Sequence, residues 1–365
     1  MKLRAERDNL LAALVTANRA GGRIGTINVP VAKLTVADGS LTVTSTDLSL
    51  TISARTSVNA LDDGAAVVPG KLLAGVVKAL PPGAIDIESD DAQLQVSSGR
   101  SRFTISVYAP STFPILATPG GTPAHLSTAG LSEALRQVVC AASAEDSRPV
   151  LCGVLIEAQD GAMRLVATDS YRLAVRELPD VPWVLGGAEK VLVPGRALGE
   201  LDRLLGNAGE RITVRADDRL FSVYAGNVTL SASLIEGQYP PYQALMAVNN
   251  PSQLQVDGAL LFDAVNRVSV MATEPTAPVR LHLEPDQVEV SMVGADRGSA
   301  TEVVDASYDG KPMTVAFNPA YISDGIQAVG SGMVTIRIAD PLKPVILTSP
   351  TSPGYTYLLM PVRVA

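Results

Sequence analysis

Histidine and cysteine are almost missing from this chain, with 2 of each in 365 residues. His125 and His282 stand in unrelated contexts, which argues against a histidine-based triad or a zinc centre. Cys140 and Cys152 lack metal-ligand spacing and are too few for a disulfide framework, so both read as small buried hydrophobes. No apolar run approaches the roughly 20 residues needed to span a bilayer. The opening Met1-Lys2-Leu3-Arg4-Ala5-Glu6-Arg7 lacks the basic-then-apolar grammar of a signal peptide. A soluble cytoplasmic protein with no membrane partner is expected. Positive charge is also short. A net charge of −8 argues against gripping nucleic acid over the whole surface, while leaving room for a local basic lining.

The signatures of catalysis are missing too. There is no phosphate loop, nucleophile elbow or dinucleotide fingerprint. Asp169, Asp217-Asp218 and Glu236 have no second carboxylate at a spacing that would pair it with them for acid–base work. Thr168-Asp169 after a strand reads as turn chemistry, the Asp bonding its own backbone. No catalytic residue, metal or cofactor is expected.

What the chain does contain is aliphatic: 47% of it is apolar while only 4% is aromatic. That is a globular composition, and the length exceeds what one core usually serves. Residues 6–19 read as an amphipathic helix burying Leu10, Leu11, Leu14 and Val15, stopped by Gly21-Gly22. Lys33–Val36, Asp38-Gly39 and Leu41–Thr44 read as a hairpin. Val67-Val68-Pro69-Gly70 ends a strand and opens a helix over 71–80, stopped by Pro81-Pro82-Gly83. After Phe113-Pro114 comes a linker, Thr118–Pro123.

The same order then recurs. A helix is expected over 131–139, and Asp160-Gly161 repeats the turn at Asp38-Gly39 (160 − 38 = 122). Asp169 repeats Asp47 (169 − 47 = 122), Pro194 repeats Pro69 (194 − 69 = 125), and Pro240 repeats Pro114 (240 − 114 = 126). A third pass has a helix over 259–268, a turn at Pro285-Asp286 and Ala295-Asp296 in the Thr-Asp place. Pro319 stands for Pro194 (319 − 194 = 125), and Met360-Pro361 closes the module (361 − 240 = 121). A period this long is domain triplication, since solenoid repeats run to about 20–50 residues. The expected fold class is α+β, with three tandem, topologically similar domains at 1–121, 122–249 and 250–365, each of two helices and about eight strands. Linkers fall near Pro119–Pro123 and Val248–Pro251.

Five phrases carry a specific likeness: Arg148–Leu155, Ala167–Ala174, Leu234–Pro240, Phe317-Asn318-Pro319-Ala320-Tyr321 and Tyr357–Arg363. Together and in order they resemble the bacterial DNA polymerase III beta subunit, the sliding clamp, over essentially the whole chain. The resemblance implies half of a closed ring, a homodimer joined head to tail with helices inside and sheets outside. Such a ring encircles double-stranded DNA without reading sequence and tethers the polymerase, so contact with phosphates must stay weak enough to slide. Its other implied partners are the polymerase III alpha subunit, the clamp loader and repair polymerases, and its implied location is nucleoid-associated.

By that resemblance, the DNA-facing candidates are Arg23, Arg196, Lys71, Arg136 and Arg203, with Arg19, Lys78 and Arg267 beside them. Arg23 and Arg196 match family positions near DNA. Gly195-Arg196 stands where the family often carries a basic pair.

A partner-peptide groove is implied at Leu151, Thr168, Ser170, Tyr171, Arg172, Leu173, Pro240, Leu245, Leu342, Pro344, Leu358, Met360, Pro361, Val362 and Arg363. Aliphatic side chains and prolines would receive Leu and Phe of short linear motifs, with Arg172 and Arg363 as donors at the rim. The departures from the family concentrate here. Ser170-Tyr171 replaces the usual Gly-His, Pro241 the usual Asp, and Gln243 and Ala244 the following basic residues, while Pro344 is unusual. They suggest a duplicated copy with a groove altered to evade an inhibitor. A peptide-binding scaffold that forms no ring is the remaining alternative.

Overall fold

The computed structural model describes residues 1–363 except 26, 160–161, 183–188, 207, 248, 275, 295–297 and 331. The expected turn at Asp160-Gly161, the Ala295-Asp296 equivalent and Val248 of the second linker lie outside the described residues.

Each third of the chain carries two long helices. They are α1 (Arg7–Ala17) and α2 (Gly70–Ala79), then α3 (Thr128–Val139) and α4 (Gly195–Leu205). A short α5 (Gln243–Met246) precedes α6 (Gly258–Ser269) and α7 (Pro319–Val329). Among the described residues the three thirds contribute nine, eight and eight strands, close to the expected eight. None of the described helices is long and apolar enough to cross a membrane.

The helices follow from spacing and stops. α1 buries Leu10, Ala13, Leu14 and Ala17, the i, i+3, i+4, i+7 stripe of an amphipathic helix. Val15 was expected on that face and instead is 49% exposed, because one residue past Leu14 turns about 100° away from the stripe. Asp38 and Gly39 both take left-handed φ, 49° and 68°, the conformation a two-residue hairpin turn demands. They join Val31–Ala37 to Ser40–Thr46 in the register Ala37↔Ser40.

α2 starts after Pro69, and its first residue, Gly70, passes Asn18 closely. A Cβ at Gly70 would collide with Asn18 Oδ1, and Asn18 Nδ2 donates to the Gly70 carbonyl at 2.9 Å. α4 starts identically after Pro194. α7 differs by one residue: Asn318 is its cap, accepting from the Ala320 and Tyr321 amides, and Pro319 is already helical. Pro lacks an amide hydrogen and has fixed φ, so it fits either place, and Asn318 is the true equivalent of Pro194.

The chain forms two compact units, residues 1–132 with 184–234, and 133–183 with 235–365. Sheets run on from one third into the next, so the middle third is divided. In the first unit Val228–Ser233 pairs antiparallel with Leu50–Ser57, Leu230 opposite Ile52. From there the sheet extends through Ser40–Thr46, Val31–Ala37 and Gly64–Pro69. A separate five-stranded sheet, built on Lys2–Glu6, packs with α1 and α2 around Leu3, Leu10, Leu14, Leu34, Leu73 and Ile85, all fully buried. Each such side chain contributes about 1.5–3 kcal/mol by leaving water. In the second unit Arg172–Pro182 pairs with Tyr355–Leu359, Leu173 opposite Leu358. Val345–Thr348 continues that sheet, with Val345 opposite Leu359.

Candidate functional site

One turn is built twice. Thr46 Oγ1 donates to the Leu50 carbonyl and accepts from the Leu48 amide, while Asp47 Oδ1 accepts from the Ser49 and Leu50 amides. In the second unit Thr168 Oγ1 donates to the Arg172 carbonyl and accepts from the Ser170 amide, while Asp169 Oδ1 accepts from Tyr171 and Arg172. The third residue is left-handed in both, Leu48 at φ 78° and Ser170 at φ 80°. The turn chemistry read at Thr168-Asp169 therefore holds and repeats. Each turn leaves its Asp Oδ2 free for an arginine, and the two units use it differently.

In the second unit that arginine is Arg172. Its Nε donates to Asp169 Oδ2 at 2.9 Å, its Nη1 to Asp324 of α7, and its guanidinium lies 4.3 Å over the Tyr321 ring. Burial disfavours its charge, but the Tyr357 hydroxyl and the Asp324 and Asp169 carboxylates outweigh that and keep its pKa above the ordinary arginine value. Arg172 is only 9% exposed. It braces the turn against α7, a buried place where a rim position was expected. Asp324 and Tyr321 had no signal in sequence spacing, since they belong to a helix 150 residues away.

Beside this strut lie several of the residues expected to line a groove. Met360 donates its amide to the Tyr171 carbonyl at 2.9 Å, which fixes the chain end against the turn. Thr168, Leu173 and Leu358 are buried beneath it, and Leu151 is buried in the short 3-10 turn Pro149–Cys152. Gly237 passes that turn closely enough to put a Cβ 2.6 Å from Val150 Cγ1, which brings the Pro240 loop to Leu151. Tyr242 anchors the same loop by donating to Glu157 and accepting from Arg164. Of the other groove candidates, Tyr171, Leu245, Leu342 and Met360 are 56, 46, 58 and 39% exposed. Pro240 and Ser170 are exposed, as is Arg363, while Pro344, Pro361 and Val362 are half-buried. The Pro344 carbonyl accepts from Asn250 Nδ2 at 3.0 Å, and the Val362 amide donates to Ala316. Tyr171 stacks on Tyr321 with centroids 6.3 Å apart, so its ring leans toward α7.

The basic candidates are all exposed, yet they are not equally free. In the first unit Arg196 Nη1 donates to Asp47 Oδ2 at 2.7 Å. Arg19 and Arg203 both pair with Glu200 of α4. In the second unit Arg267 is held by Glu302 and Asp263. Arg23, Lys71, Lys78 and Arg136 make no ion pair among the described residues.

Cys140 and Cys152 are both partly exposed, where burial was expected. Burial still pushes the Cys140 thiol up to about 12, so it stays protonated and inert. Among the described residues no group of three or more His, Cys, Asp or Glu could hold a metal ion.

Three family models match in sequence: the DNA polymerase III beta subunit N-terminal domain at residues 1–117, its central domain at 125–241 and its C-terminal domain at 244–363. The beta sliding clamp of Caulobacter vibrioides (strain NA1000 / CB15N) is 31% identical over 373 residues, covering 100% of both chains. That of Streptomyces coelicolor is 31% identical over 382 residues, again covering 100% of both. Among solved structures, a Caulobacter crescentus beta sliding clamp with PEG bound matches with TM-score 0.92 at 30% identity, covering 100% of this chain and 99% of that one. A Bartonella birtlesii sliding clamp bound to griselimycin matches with TM-score 0.93 at 28% identity over 100% of both.

Proposed function

The chain belongs to the DNA polymerase III beta subunit family, the beta sliding clamps, non-catalytic processivity factors whose partners are DNA and polymerase, and from that premise we propose that two copies close head to tail around duplex DNA. The three modules, 1–121, 122–249 and 250–365, would then supply half of the ring. One observation carries this. Among the described residues each unit has a sheet edge left open with a large apolar side chain on it. Among the described residues Ser101–Ser106 pairs only with Gln93–Ser98, and Phe103 on it is 37% exposed, just after Arg100 and Arg102. Among the described residues, 299–305 pair only with the strand Gln287–Gly294, and Val303 there is 52% exposed between Glu302 and Asp305. Open apolar edges are a liability unless another chain covers them. One edge is basic and the other acidic, which favours a heterologous contact over a self-complementary one.

Arg23, Arg196, Lys71, Arg136 and Arg203 would face the DNA and meet phosphates without reading bases. The groove around Tyr171, Leu245, Leu342 and Met360 would take Leu and Phe of short linear motifs from the polymerase alpha subunit, the clamp loader and repair polymerases. The deciding experiment loads the protein onto nicked circular DNA with a clamp loader and then linearises the circle. Retention on circles with loss from linear ends supports the ring. Equal retention on both forms means direct gripping and overturns it, and a monomeric sedimentation mass at micromolar concentration favours the scaffold that forms no ring.

A second reading, a duplicated copy altered against a groove-binding inhibitor, rests on Tyr171 alone, whose exposed ring stacks on Tyr321. It fails if a groove-binding cyclic peptide binds this protein as tightly as it binds an ordinary clamp.

A further inference from the structure

The first unit gathers three arginines around two carboxylates. Gly22, which precedes Arg23, packs so closely on Asp47 that a Cβ there would collide with the Asp47 Cβ. Asp47 Oδ2 takes Arg196, and Glu200, one turn further along α4, takes both Arg19 and Arg203. Burial works the other way, but hydrogen bonds from Ser49 and Leu50 together with the Arg196 charge hold the Asp47 carboxyl below its usual range. It is therefore charged at neutral pH, and its contact with Arg196 is an ion pair with no net charge. The side chains of Asp47 and Glu200 are 16% and 15% exposed, whereas Arg196 and Arg203 are 64% and 60% exposed. The anions are held in the fold and the cations reach out over them.

We infer that Asp47 and Glu200 act as built-in competitors for phosphate, lowering the grip of Arg19, Arg196 and Arg203 on the DNA. An arginine already paired with a carboxylate gains little by exchanging it for a phosphate, and its net neutralisation of the backbone is small. A clamp that must slide benefits from cations whose contacts are weak and rapidly exchanged. These two acids would be positioning residues, acting on DNA only through the arginines. The inference rests on the reading that those arginines face DNA.

Asp47→Asn keeps the Oδ1 acceptor that the turn amides need and removes the charge from Oδ2. Glu200→Gln does the same on α4 without touching any turn, so it serves if the first variant folds poorly. The measurement is fluorescence anisotropy of a labelled linear duplex with the whole protein over a series of salt concentrations. The expected result is a slope of log affinity against log salt steeper by roughly one for Asp47→Asn and by up to roughly two for Glu200→Gln, since each released arginine displaces about 0.9 counterion. Adding Arg196→Gln to Asp47→Asn should return the slope to its starting value. An unchanged slope in both acid variants, with Arg23→Gln still weakening binding, overturns this inference and leaves the DNA-facing reading intact. A gain that survives Arg196→Gln also overturns it, because bulk charge would then be responsible. If Arg23→Gln, Arg196→Gln and Arg203→Gln all leave binding unaltered, the DNA-facing reading itself falls.

Discussion

Leu48 and Ser170, 122 positions apart (170 − 48), hold the same left-handed backbone conformation in the two copies of one turn. Neither is glycine, so both turns carry strain that a side chain imposes, of order 1–2 kcal/mol each. The two sites spend that strain differently. Leu48 is 61% exposed, whereas Ser170 Oγ accepts from Arg148 Nη1 at 3.0 Å. In the second unit, then, the strained residue also ties down Arg148, at the start of the 3-10 turn that holds Leu151.

Replacing Leu48 with Gly should stabilise the first unit by about 1 kcal/mol, the relief of the left-handed penalty less the entropy glycine adds to the unfolded chain. For a unit of this size the melting midpoint should rise by about 2–4 °C. Ser170→Gly should give less, because the Arg148 bond is lost with the hydroxyl. Differential scanning calorimetry on both variants decides it. A fall in midpoint for Leu48→Gly would show that the turn is not strained.

Arg172→Ala should be far more damaging than any loss of a rim contact. It leaves Asp169 buried without its partner, and it removes the brace to Asp324 and the contact over Tyr321. The expected loss is about 3 kcal/mol, the low end for a broken buried pair because Asp324 is partly exposed. Hydrogen exchange should show the protection of 167–175 and of α7 falling together. If peptide affinity falls while protection in both segments is unchanged, Arg172 is a rim donor after all.

Acid should weaken the first unit through its turn carboxylates. Asp47 is held below its usual pKa as described, and Asp217 likewise: burial opposes it, but the Arg219, Gly120 and Leu220 amides prevail. A carboxyl depressed in the folded state adds stability that is complete above its unfolded pKa of about 3.9 and disappears as pH falls through the folded value. Melting temperature should therefore hold steady above about pH 5 and drop progressively below about pH 4. The Asp47→Asn, Asp217→Asn double variant should start less stable and show a shallower drop. An equally steep drop would place the acid sensitivity elsewhere.

The groove prediction concerns binding alone. Met360→Ala removes a 39% exposed side chain whose backbone already pins the turn at Tyr171. A labelled peptide carrying Leu and Phe should then bind about 5- to 30-fold more weakly, the effect of losing roughly 1–2 kcal/mol of apolar contact. Thermal stability should barely change. Unaltered affinity would mean that peptides dock elsewhere.

Much of this was legible in the chain because turns and helix starts are local chemistry. Thr46-Asp47 and Thr168-Asp169 announce themselves in sequence, and their bonds repeat atom for atom. What the chain could not reveal is how long-range partners spend its charges. Nothing near Arg172 in sequence points to Asp324, and nothing near Arg196 points to Asp47, so both arginines read as available when each is engaged. The division of the middle third between two compact units was hidden for the same reason. It depends on Val228–Ser233 finding Leu50–Ser57, a strand pairing across nearly half the chain.

The open edges allow a test of how the ring closes. In a head-to-tail dimer each contact joins the Phe103 edge of one copy to the Val303 edge of the other, so Phe103→Asp or Val303→Asp alone damages both contacts. Each variant by itself should sediment as a monomer. Mixed in equal amounts, they should recover a dimer, because one pairing of an intact Phe103 edge with an intact Val303 edge survives. That dimer would have a single good contact and should slip from nicked circular DNA, while the unaltered protein stays on. A self-complementary contact predicts otherwise. If Phe103 met Phe103, Val303→Asp would remain dimeric alone, and mixing would rescue nothing. Sedimentation of the two variants, apart and together, separates these geometries without requiring that either be loaded first.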